Sequence, residues 1–231
     1  MSTAQLSSFT TAQISNITSV QIGGLETGDV SGLTTAQVGA ISSVSLQNLS
    51  TEQIAGLVTA QLANLKTAQI AALTSVQVTG IETADISGFT TAGFNALNSV
   101  QIGQFSTAQV AALSTAEVVA MGTDDVLGLT SDQLTAMSTA QVAAFATAQI
   151  VKLTSVQLAG IETADISAIS TAGIAGMTSD QISYLATAQV ANLSTVQIAA
   201  IVTADIVGLG SAQVKGLTTA QIASLTTAQL R

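Results

Sequence analysis

Large apolar residues recur along this chain every eight positions. Cut from Met1, the 231 residues give 28 full octads and a final seven: MSTAQLSS, FTTAQISN, ITSVQIGG and onward to LTTAQLR. With the positions lettered a to h, a is Leu, Ile, Phe or Met and f is Ile, Val, Leu or Phe in all 29 octads. Position c is Thr or Ser in all 29, e is Gln in 20, and d is Ala in 18 and Val in six. No insertion or deletion breaks this register, as expected where every unit stacks on its neighbours. The pattern predicts one continuous octapeptide-repeat solenoid over residues 1–231.

A longer repeat lies on top. TSVQVTGIETADISGFTTAG at 74–93 returns as TSVQLAGIETADISAISTAG at 154–173, and Asp85, Asp125, Asp165 and Asp205 occupy position e at forty-residue intervals. Either a block of octads has been duplicated, or five or ten octads make one structural period.

Two local structures compete. In a β-solenoid, Thr-Ala-Gln-Val would be a short strand with d and f facing inward. In an all-α solenoid, each octad would be one very short capped helix. The start signals favour the helix. Position b is Ser, Thr or Asn in 19 octads, and a Gln, Asp or Glu usually follows three residues on, the spacing of a capping box. The a residue before the cap and f as fourth helical residue make a hydrophobic staple. Ten of 18 Gly and four of six Asn sit at h, where a left-handed residue closes many helices. All 13 acids lie at b, d or e, and Lys152, Lys215 and Arg231 lie at g or h. That distribution complements a helix dipole, and a strand has no reason for it. A helix this short is unstable alone, so stacking around a, f and mostly d must hold it. The invariant hydroxyl at c is expected to bond the backbone of an adjacent unit, and the Ser that precedes five of the six d-position Val points to crowding there.

Composition narrows the function. The chain has no Cys, His or Pro, so a disulfide framework, a Cys/His zinc site and a His-containing triad are excluded. Four basic residues against 13 acids leave no footprint for nucleic acid. Polar residues interrupt every few positions, so no membrane span and no signal peptide are expected.

The pattern in LTTAQVGA at Leu33 and LSTEQIAG at Leu49 resembles the octapeptide arrays of very long bacterial surface or secreted, adhesin-like proteins. The resemblance covers the whole chain. It implies a structural repeat segment in an extracellular or cell-surface setting.

Candidate chemistry is sparse. Asp124, Asp125 and Asp132 form the densest acidic cluster, and oxygen ligands suit Ca²⁺, but the spacing of a calcium loop is absent and solvated first-turn acids are expected instead. Glu82/Asp85 and Glu162/Asp165 pair carboxylates three residues apart, which reads as helix capping rather than acid–base chemistry. Gly93, Gly173 and Gly176 form no phosphate-binding fingerprint. Phe9, Phe89, Phe105 and Phe145 at a read as core, and Tyr184 at h as surface. No catalytic, cofactor or metal site is therefore assigned.

The expectation is a non-enzymatic stalk or fibre segment whose main partner is itself, through head-to-tail stacking or a longer parent array. A scaffold for a protein or glycan partner is the alternative, and a Thr-rich ice-binding solenoid a remote one. The first and last units are ordinary octads without polar caps, so the chain is expected to be either a fragment or a self-stacking unit.

Overall fold

The computed structural model of the protein describes residues 3–231. Among the described residues there is no strand: 23 α-helices and five 3₁₀ segments follow one another, one in each of the first 28 octads. The fold is all-α, and the β-solenoid alternative is not favoured. Helices start at c, as in Thr11–Ser15, Thr35–Val38 and Thr67–Ala72, and last four to six residues. The b residue ahead of each α-helix from Thr11–Ser15 onward is extended, with φ −71° and ψ 158° at Thr10. Its hydroxyl accepts from the e amide, and the e side chain accepts from the b amide, so the capping box is present as the sequence predicts.

The end of each helix differs from expectation. No described residue has a positive φ. Gly24 at h stays near φ −87°, ψ 1°, and the helix stops because the next residue turns extended, as Leu185 does at φ −61°, ψ 134°. Glycine at h answers another need. A Cβ on Gly160 would lie 2.9 Å from the carbonyl oxygen of Ser131, and one on Gly56 would lie 2.9 Å from that of Thr27. Both neighbours are c residues 29 places earlier (160 − 131 and 56 − 27), so these glycines let one turn of the coil approach the backbone of another. Asn at h instead closes its own helix, Asn16 Nδ2 donating to the Ala12 carbonyl at 2.7 Å and Asn48 to Val44 at 2.8 Å.

The described residues form two compact units, Met1–Met121 and Gly122–Arg231, and the same winding recurs inside each. In the first, Ser43 Oγ donates to the Ala68 carbonyl, 25 residues on, and Gln69 Nε2 donates to Val38 and Ile41, 31 and 28 residues back. In the second, Ser131 reaches Val156 across 25 residues, and Gln157 reaches Val126 and Leu129 across 31 and 28. All these separations fall between 24 and 32, so one turn takes more than three octads and fewer than four. Five octads are therefore not one turn. The forty-residue period appears instead as local tightening, since Asp85, Asp125, Asp165 and Asp205 lie within or directly before four of the five 3₁₀ segments.

The core is built from a and f: Val38, Leu46, Ile70, Ile86 and Val118 at f are fully buried, with Leu57, Leu97 and Ile161 at a beside them. Phe94 packs edge-on to Phe89 at 6.0 Å and stacks with Phe105 at 6.2 Å. Phe145 is buried too, while Phe9 is half-buried and Tyr184 exposed. Position d does not join the core. It is exposed in every described octad, and Val20 keeps 86% of its surface in solvent. The helical wheel gives the reason: at roughly 100° per residue, d lies about 160° from f, almost opposite the buried line. The inward neighbour is e, where Gln37, Gln69, Gln149 and Gln189 are buried. Crowding at d is thus no explanation for the Ser-Val pairs, and nothing in the structure supplies another.

Candidate functional site

The chemistry of this molecule is concentrated in the buried e glutamines. Gln37 Oε1 accepts from the Thr34 amide at 2.8 Å, inside its own octad. Its Nε2 turns the other way and donates to the carbonyls of Phe9 at 2.7 Å and of Leu6 and Ser7 at 3.2 Å. One side chain thereby caps its own helix and closes the carbonyl end of a helix one turn earlier. The arrangement repeats at Gln61 on Leu33 and Val30, at Gln109 on Ile81 and Val78, and at Gln221 on Leu193 and Val190. Where b lacks a hydroxyl, as at Val58 and Ala186, the b amide still donates to the glutamine oxygen at 2.9 and 2.7 Å. Buried and paired in this way, each such bond contributes on the order of 1 kcal/mol, and each would cost more if left unmade.

The three-residue spacing of b and e predicts the cap but not the seam. A signal was present: Glu serves a capping box and the helix dipole at least as well as Gln, yet e is Gln in 20 octads and Glu in one. Only the amide adds donors to an acceptor. The c hydroxyl, expected to bond neighbouring backbone, does so across a turn at Ser43 and Ser131, while the Thr59, Thr139 and Ser155 hydroxyls donate to the side chains of Asp85, Asp165 and Asp180.

Those aspartates cap, but not their own segments. Asp85 Oδ1 accepts from the Thr59 amide at 2.7 Å, at the start of the helix Thr59–Leu62, whose own b residue is the apolar Val58. Asp205 Oδ1 likewise accepts from the Ser179 amide at 2.8 Å. Asp29 behaves differently, accepting from the Glu26 amide of its own octad at 3.3 Å, and its segment stays α-helical. Glu82 and Glu162 remain exposed, so the structure does not assemble either carboxylate pair into a catalytic couple. Asp124, exposed, sits 2.9 Å from Lys152 Nζ, and Asp132 is exposed in the next octad. Among the described residues no three acids come close enough to share a metal ion. Glu52 at d has its carboxyl held below the usual range, first by its own backbone amide and then by the Ser50 hydroxyl. Gly93 and Gly173 are buried at e and Gly176 is exposed at h, an arrangement unlike a phosphate cradle. A shallow surface groove crosses three turns of the first unit, lined by Thr11, Ser15, Gly39, Asn64 and Lys66 among others. No helix among the described residues is long and apolar enough to cross a membrane.

The unit that this geometry repeats runs from h through e: a small residue, the apolar anchor, two hydroxyls, Ala and Gln. Five tandem stretches, residues 22–59, 78–115, 118–155, 158–195 and 198–231, match the ALTTAQ repeat. The chain belongs to the ALTTAQ repeat family. The last four matches begin forty residues apart, the spacing of the four e-position aspartates that accompany 3₁₀ segments. No curated protein matches this ALTTAQ-repeat chain.

Proposed function

We propose that this ALTTAQ-repeat array is a non-enzymatic structural protein, a stalk or fibre segment of a bacterial extracellular or surface protein, and that its end faces stack on one another. The glutamine seam carries the reading: buried glutamines along the array join one turn to the next. The acidic charge and the absence of Cys accord with an extracellular setting.

Exposed seam groups support self-stacking. Gln13 and Gln21 are exposed, with Ile17 and Leu25 only half-buried beside them. In the second unit the f residues Val214, Ile222 and Leu230 are 46%, 48% and 65% exposed, although f is buried in every octad from Leu6 to Ile198. The first unit exposes amide donors and the second exposes apolar side chains, both of kinds that interior turns bury, so a second copy would bury them again. Sedimentation across a wide concentration range tests this: growing oligomers and fibres are expected, and Gln13→Ala/Gln21→Ala should suppress them. A monomer at every concentration would refute the stacking. A second reading, a scaffold for a protein or glycan, draws on the groove at Lys66, and a glycan-array screen compared with Lys66→Ala tests it.

A further inference from the structure

The one Glu at position e is Glu117, and it is 2% exposed. Its Oε2 accepts from the Ser114 amide at 2.6 Å, the bond that a glutamine oxygen makes in other octads. Its Oε1 therefore occupies the place of the glutamine amide. Among the described residues it is the only buried side-chain nitrogen or oxygen with no hydrogen-bond partner. By the register that puts Gln109 on Val78 and Ile81, this oxygen faces the carbonyls of Ile86 and Phe89, 31 and 28 residues back. An ionised carboxylate there sets acceptor against acceptor. A protonated one supplies the missing donor.

We propose that the Glu117 octad is a proton-operated joint in the first unit: closed when the carboxyl is protonated and donates to Ile86 and Phe89, loosened when it ionises. No base on the packed elements is positioned to stabilise the anion. The packed helix Thr91–Phe94 carries no titratable group, and the segment Thr83–Gly88 with its preceding residue contributes only Asp85 and Glu82, both acidic. Burial also pushes the Glu117 carboxyl above its usual range, against the weaker opposing pull of the Ser114 amide and hydroxyl. The sign follows from linkage. Because the folded pKa is raised, the folded joint holds its proton longer than the unfolded chain does. Its penalty is absent below the ordinary carboxyl pKa, grows as pH rises, and is complete above the raised pKa.

Glu117→Gln removes the titration and restores the donor. Hydrogen exchange of the amides of residues 114–121, compared between wild type and E117Q, should agree at pH near 4. The wild-type opening equilibrium should then exceed that of E117Q by about tenfold for each pH unit up to the raised pKa. A constant ratio across pH would overturn the joint. Carboxyl carbon NMR of Glu117 in the wild-type chain gives a check that needs no variant: a raised midpoint is expected, and an ordinary carboxylate midpoint would overturn the proposal.

Discussion

Glutamine at position e separates the two jobs that a single side chain performs here. Replacing Gln109 by Leu keeps the burial and removes both, leaving the Ser106 amide and the Ile81 carbonyl unmatched and the Val78 carbonyl with only the Ile81 amide. A loss of about 2–5 kcal/mol is expected in denaturant unfolding. Gln13→Leu, at an exposed e, should lose far less, because the Gln13 side chain bonds only within its own octad. Glycines sort by the same logic of what the neighbouring turn permits. A methyl group added to Gly28 at d would meet nothing within 4 Å, so Gly28→Ala should raise stability by about 0.5–1 kcal/mol through helix propensity. Gly160→Ala meets Ser131 and should destabilise by about 1–3 kcal/mol. Equal effects of the two glycine substitutions on the melting temperature would contradict this account of h.

At the scale of the element, each helix is too short to persist alone, and its two ends are satisfied by different parts of the chain. The amide end is closed locally by b and e, which is why the cap was readable from a spacing of three residues. The carbonyl end is closed by a glutamine 28 to 31 residues later, which no local pattern displays. Helix Thr59–Leu62 shows the division most clearly: Val58 gives it no hydroxyl, Gln61 accepts from the Val58 amide, and Asp85 from the next turn covers Thr59. Asp85→Ala should therefore cost about 1–2 kcal/mol and speed hydrogen exchange at Thr59 rather than at residues 83–88. Faster exchange confined to 83–88 would place the aspartate's role in its own segment instead.

Across the whole molecule, the repeat makes register more important than length. Every octad presents the same f and a carbonyls, so removing residues 193–200 as a block leaves each later glutamine facing equivalent partners eight residues shifted. That deletion should retain the helical far-ultraviolet circular dichroism and most of the thermal stability, as nearest-neighbour energetics of solenoids imply. Deleting Ala200 alone puts every following e glutamine one residue out of step and should lower the melting temperature far more, with loss of helicity beyond the cut. Comparable damage from both deletions would mean that particular octads, and not their register, hold the coil.

The octad by itself determined what depends on near neighbours: a helix starting at c, the capping box, acids confined to the first turn, and the burial of a and f. These follow from bonds and contacts spanning three or four residues, so their spacing is written directly in the sequence. Tertiary structure decided which flank of the short helix turns inward. Positions e and g both lie about 100° from f, and only the winding of more than three but fewer than four octads per turn brings e beneath an earlier helix end. The same winding assigned glycine at h to close approach instead of a left-handed cap, and made Glu117 a misfit at a position that is glutamine in 20 octads. Each of these depends on residues 25 to 31 positions away meeting across a turn, a distance set by packing and not by any local propensity.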